Sequence, residues 1–493
     1  MHTASTPRSR AAWATIMAVA GLSTAAAAAG TGVAVALRDA DRRLRWERQA
    51  RVWRLTARRG VHFAHVKVRG RRATEEERAR LEEQFAIRTA EDVAQVLGGM
   101  KGAIMKAGQM ISFIADGLPP EAKAALATLQ ADVAPMAPSL AESVVTEELG
   151  ASPYKLFLDW DPVPVAAASI GQVHRAVMPD GRIVAVKVQY PGVDKAIKSD
   201  LDNAEVLYGL FASFALKGLD VKALVDELRA RMADELDYRL EAVCQSEFAD
   251  RYATHPFIHV PRVVPERSAQ RVLTSEWVDG MRWEEFLASA DQAAKDRAGE
   301  VIMRFAQGSI HMHGVFNGDP HPGNFRLHAD GSVTFLDFGL VKRWSPGEFD
   351  QLAPVLDAIL DDDAEALIRT SVAAGFMPAN HGLDARFVYE YVCGPYEPFL
   401  VDEFTYTREW TGQALQRVID LQGRYGELIK KLNMPTSYVI LDRVVWGVSA
   451  LLSRLEATGH WRAILAEYRK GAPPSTELGR LEAEWRRSAP AAP

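Results

Sequence analysis

The feature that most restricts this chain is an ordered set of cationic and hard-oxygen side chains. Lys187 sits in the strand-like run Arg182-IVAVKVQ-Tyr190, where apolar residues alternate around it. Far downstream, Asp319-Pro-His-Pro-Gly-Asn324 sets a carboxylate and an amide carbonyl five positions apart on a loop stiffened by two prolines. Thirteen residues later Asp337-Phe-Gly339 follows a short apolar strand, Val333 to Leu336. Each signal alone is weak, because single lysines on strands are common. In this order and at these spacings they match the needs of kinase-type phosphoryl transfer. Those needs are a point charge for phosphates, a carboxylate that orients or deprotonates a hydroxyl, and hard oxygens for a magnesium ion that bridges phosphates. The expected roles are Lys187 and Asp319 in catalysis, Asn324 and Asp337 on Mg2+, and ATP or ADP as the nucleotide.

A chain of 493 residues, 48% apolar and 25% charged, can bury two or three packed units. Its net charge of -6 argues against a nucleic-acid partner, since nothing global would neutralise a phosphate backbone. Cys244 and Cys393 are far apart and suggest neither a disulfide nor a thiolate metal site. Beyond a short tail, 1–10, the uncharged Ala-rich run 11–37 is long enough to cross a hydrocarbon core. Its weak apolarity leaves three readings open: a membrane helix, a non-inserted segment and a signal peptide. Arginines crowd the juxtamembrane segment 38–74 and only two precede the run, so the positive-inside rule places the rest of the chain in the cytoplasm. The expected location is a bacterial inner membrane, with a wholly cytoplasmic protein as the alternative.

Apolar spacings predict a helical extension over 75–150, a mixed sheet-and-helix lobe over 151–281, a helical lobe over 282–470 and a mobile tail over 471–493. The fold class is therefore α+β, a bilobal kinase-like fold with an N-terminal helical extension.

Where a glycine-rich loop would precede the lysine strand, the chain has Pro164-VAAASIGQVHR-Ala176. Alanine limits φ and the close approach of backbone to phosphate. This loop resembles the alanine-rich loop of the UbiB/AarF family of atypical kinases, related to coenzyme Q synthesis. Met105-KAGQMI-Ser112 resembles the family's KxGQ motif, Ala233-DELDYRLE-Ala242 its ExD motif and Gly318-DPHPG-Asn324 its catalytic loop. The resemblance implies that Ala166, Ala167, Ala168 and Ser169 line the phosphate side. It implies that Lys106 and Gln109 point into the nucleotide region, and that backbone groups around Glu276, Trp277 and Val278 hold adenine. It also favours Glu235 over Glu205 as the partner of Lys187, with Asp237 facing the extension or a metal. The implied role is an ATPase or kinase supporting isoprenoid quinone or related lipid synthesis, with lipid or quinone intermediates, or their biosynthetic enzymes, as partners. A lipid or small-molecule phosphotransferase and a nucleotide-gated scaffold are the alternatives. One departure stands out: Asn317-Gly318 replaces the His-Ala often found in relatives.

Overall fold

The computed structural model describes residues 136–168, 170–194, 234–419, 423–433, 435 and 438–488. The segments 1–135, with Lys106 and Gln109, and the residues Ser169 and Glu205 lie outside the described residues.

Helix α1 (Pro138–Leu149) precedes the strands β1 (Asp159–Trp160), β2 (Ala166–Ala168), β3 (Gly171–Val177) and β4 (Ile183–Gln189). After helix α2 (Tyr238–Arg251) and the short β5 (Ile258–His259), strand β6 (Val272–Glu276) completes the first lobe. The antiparallel sheet runs β1-β3-β4-β6, with β2 paired to β3. Strand alternation decides what β4 does. Val184, Val186 and Val188 are fully buried on one face, where they pack with Ala141, Val144 and Val145 of α1. Ala185 and Lys187 consequently face the other side. Burying each valine is worth roughly 1.5–3 kcal/mol, so a one-residue slip, which would bury Lys187 against α1, is strongly disfavoured. Helix α1 ends the segment expected to be an extension, but its apolar face belongs to the core of this lobe.

The second lobe is built on α3 (Gln292–Gly308), whose N-terminus Asp291 caps by accepting from Ala294 N–H. Its small sheet has the order β5-β9-β8, from β8 (Phe325–Leu327) and β9 (Val333–Phe335). A two-stranded ribbon pairs β7 (Val315–Asn317) with β10 (Val341–Arg343), bringing Asn317 opposite Val341. The lobe closes with α4 (Val439–Leu455), α5 (Trp461–Lys470) and α6 (Glu477–Ser488).

Helix α6 corrects the expectation of a mobile tail after Gly471. Leu478 is 1% exposed and joins the core of the lobe, and Trp485 Nε1 donates to Ala253 C=O at 3.1 Å. The composition is polar, yet one face carries a buried anchor. Arg304 of α3, with no exposed side-chain surface, donates to Glu300 at 2.7 Å, Glu467 at 2.9 Å and Glu482 of α6 at 3.2 Å. Removing one partner of a buried ionic cluster leaves the others desolvated and uncompensated. Arg304→Met should therefore lower unfolding stability by about 3–5 kcal/mol in a denaturant titration and expose the chain beyond Gly471 to protease. An unchanged midpoint would show that the cluster contributes nothing net.

Candidate active site

A cleft of about 320 Å³ lies between β2, β3 and β4 above and β8 and the loop after β9 below. Lys187 enters it from the cleft-facing side of β4. Its ammonium donates to Glu241 Oε1 at 2.9 Å and Oε2 at 2.8 Å, and reaches Asp337 Oδ2 at 3.4 Å. The ring of Tyr238 covers it with the centroid 4.9 Å away, a cation–π contact in a dry setting.

Glu241, not Glu235, is thus the partner of Lys187. Immediately before helix α2, Asp237 accepts from the Arg239 side chain and caps the helix by accepting Arg239 N–H. That cap fixes the helix phase, which buries Tyr238, Glu241, Gln245 and Phe248 on one stripe. Glu235 precedes the helix; its C=O accepts from Gln189 Nε2 at 3.4 Å, and it flanks a small space beside Tyr238 and Asp337. A carboxylate at the three- and four-residue spacing of an apolar stripe was the signal available for Glu241. The ExD resemblance drew attention six residues too early.

Electrostatics of the triad follow from burial. Desolvation pushes the Glu241 carboxyl up to about 7, the nearby charge of Asp337 adds to this, and Lys187 opposes both. Burial alone would lower Lys187, but the charges of Asp337 and Glu241 outweigh it and hold the ammonium well above its ordinary value.

The loop from Asp319 to Asn324 is closed by side chains. Asp319, 7% exposed, accepts from Arg443 of α4 through Oδ1 and from Asn324 Nδ2 through Oδ2 at 3.1 Å. Asn324 Nδ2 also donates to Asp319 C=O at 3.1 Å, which leaves its amide oxygen as the atom suited to a cation. His321 Nδ1 accepts Gly323 N–H at 3.1 Å and braces the turn. Asn317 joins this loop to the one after β9, accepting Asp319 N–H at 2.8 Å and donating to Asp337 C=O at 2.6 Å. Asp337 Oδ1 accepts Gly339 N–H at 2.9 Å. Neither Arg443 nor Asn317 was singled out by sequence for this network. Arg443 lies 124 residues beyond Asp319 on a helix that carries no motif.

Ala166, Ala167 and Ala168 form β2 and line the roof of the cleft, with Ala168 opposite Gly171. A Cβ on Gly171 would lie 2.3 Å from the carbonyl oxygen of Val188 in β4, so the first position of β3 admits only glycine. Glu276, Trp277 and Val278 line the far end. Trp277 N–H is committed to Ile183 C=O at 3.1 Å, which removes it from the groups able to read a base.

The raised proton affinity of Glu241 has a sign that can be measured without any ligand. A carboxyl whose folded value lies above its unfolded one binds more protons when folded, so stability falls as pH rises from about 4.5 to about 7. Relative to Glu241→Gln, the wild-type protein should lose on the order of 3 kcal/mol across that window in denaturant titrations. Parallel curves for the two proteins would remove burial as the dominant influence on Glu241.

Residues 128–371 match the ABC1 atypical kinase-like domain. A chloroplastic aarF domain-containing protein kinase of Arabidopsis thaliana is 33% identical over 63% of this chain and 44% of its own length. Protein ACTIVITY OF BC1 COMPLEX KINASE 8 of the same plant is 33% identical over 57% of this chain and 38% of its own. This chain therefore spans less than half the length of those two relatives. Among solved structures, Rv3197 of Mycobacterium tuberculosis, determined with erythromycin, aligns with a TM-score of 0.59 and 32% identity over 80% of this chain and 98% of that one. With the lysine strand, the alanine roof and the Asp-x4-Asn loop assembled around one cleft, the chain belongs to the ABC1, or UbiB/AarF, atypical kinase family.

Proposed function

We propose that the cleft binds ATP or ADP with Mg2+, and that the chain hydrolyses or transfers the terminal phosphoryl group in support of isoprenoid quinone or related lipid synthesis. One observation carries the nucleotide reading: Lys187, Glu241 and Asp337 form a single ionic network on the wall of the cleft that Asn324 also lines. Lys187, held charged by its two carboxylates, supplies the point charge for phosphates. Asp319 orients the acceptor or a water. The alanines of β2 set how closely backbone approaches the phosphates.

The donor chemistry fits magnesium. Asn324 and Asp337 offer one amide and one carboxylate oxygen, and magnesium commonly takes one or two such protein ligands and completes its shell with water and phosphate oxygens. Bound there, the ion would neutralise charge on the phosphates. No group of three or more histidine, cysteine or acidic side chains suited to a metal occurs among the described residues.

The membrane reading rests on the run 11–37 and the arginines after it. No helix among the described residues is long and apolar enough to cross a membrane. The reading places the two lobes on the cytoplasmic side of a bacterial inner membrane, facing lipid or quinone substrates or the enzymes that handle them.

Mg2+ with ATP should raise the melting temperature of the full chain, because a ligand that binds only the folded state stabilises it, by about 2.7 kcal/mol at 100 times Kd. In Asp337→Asn the magnesium-dependent part of that rise should vanish, and an unchanged shift would take Asp337 out of the metal site. Cells carrying Asp337→Asn should show depleted quinone on lipid extraction; normal quinone with another lipid class altered would move the pathway.

A further inference from the structure

Helix α4 grips the catalytic loop along one face. Ile440, Arg443 and Gly447 recur at three- and four-residue spacing and meet Gly318, Asp319 and Pro320 in turn. A Cβ on Gly318 would come within 2.6 Å of Ile440, and one on Gly447 within 2.3 Å of Pro320. Between these two close approaches, the Arg443 guanidinium pairs with Asp319, and both side chains are nearly buried, at 13% and 8% exposure. Asp319 is already oriented without it, through Asn317, Asn324 and the turn that His321 N–H closes on Asp319 C=O. What Arg443 adds is charge, on the carboxylate oxygen that Asn324 does not occupy.

We propose that Arg443 is a positioning residue that acts through Asp319, holding its carboxylate out of proton transfer in the resting protein. The proposal rests on the nucleotide reading above. In ATP hydrolysis the water oxygen forms the new P–O bond, the β–γ bridging bond breaks and ADP leaves. The water proton passes to Asp319 where that carboxylate is available, and to the departing phosphate where it is not. With Arg443 on Oδ1 and Asn324 on Oδ2, both carboxylate oxygens already hold hydrogen bonds, so a water can engage Asp319 only by displacing one of these partners. The resting chain therefore binds Mg2+ and nucleotide through Lys187, Asn324 and Asp337 while turnover stays slow. An acceptor carrying its own anionic group, a phosphate or carboxylate, is the chemistry suited to draw Arg443 away.

The test uses the full chain and compares wild type, Arg443→Gln, Arg443→Lys and Arg443→Gln combined with Asp319→Asn. Glutamine keeps a donor beside Asp319 and removes the charge; lysine keeps the charge. Arg443→Gln should hydrolyse Mg2+-bound ATP about tenfold faster at unchanged KM, with a solvent deuterium isotope effect that wild type lacks. Arg443→Lys should stay slow, and the double variant should lose the gain. An Arg443→Gln rate equal to or below wild type, or a gain that survives Asp319→Asn, overturns the proposal. Melting shifts with Mg2+ and ATP separate the two failures. No shift in wild type sinks the nucleotide reading and this proposal together, whereas an intact shift with no gain in rate sinks this proposal alone.

Discussion

Everything in the cleft depends on keeping one partly desolvated ammonium charged. Lys187 keeps 18% of its side chain exposed, and the desolvation of the rest weakens its hold on the proton. Two carboxylates offset this, and they arrive from different parts of the chain, Glu241 from α2 and Asp337 from the loop after β9. Three elements must therefore converge to within hydrogen-bond distance. The valine face of β4 against α1 aims the lysine, the Asp237 cap sets the phase of α2, and the pairing of β8 with β9 delivers Asp337. With all three groups ionised the cluster carries one negative charge in excess, which is the electrostatic condition that attracts a cation. The elevated proton affinity of Glu241 is the other side of the same arrangement: the second carboxylate in a dry site is the one that resists ionisation.

How much of this was legible depends on sequence distance. Lys187 declared itself because β4 alternates locally, and Asn324 and Asp337 because a proline-bound loop and a tripeptide stand thirteen residues apart. The strand boundary followed the same logic: the run Arg182 to Tyr190 contains β4. The partner of Lys187 was misplaced because Glu235 and Glu241 lie six residues apart in one acidic, apolar stretch, and only the helix start at Tyr238 decides which of them turns inward. Sequence pattern gives such boundaries to within a few residues. That uncertainty is enough to exchange one glutamate for the other.

Arg304 and α6 show a different limit. Sequence between Gly471 and Pro493 is rich in charge and small residues, and composition alone predicts solvation. What orders it is one guanidinium on α3, more than 170 positions earlier, which Glu482 and Thr476 reach only after the chain has folded. Leu478, Glu482 and Trp485 do fall at helical spacing, so the stripe was present, but nothing local said that a buried arginine awaited it.

The same reasoning explains the pair Asn317-Gly318, which stands where relatives often carry His-Ala. Asn317 bonds both the Asp319 loop and the backbone of Asp337, so a planar amide with a donor end and an acceptor end meets both demands at once. Gly318 is set by packing, because a methyl group there would collide with Ile440 on one side and Leu340 on the other. A loop entrance of this kind is tied to what α4 presents, and α4 lies beyond the 128–371 match to the family domain. Substitution at 318 and residue choice at 440 and 447 are therefore one packing decision. The region outside the family match shapes the loop that holds Asp319, and the chemistry of the cleft cannot be assigned to the matched region by itself.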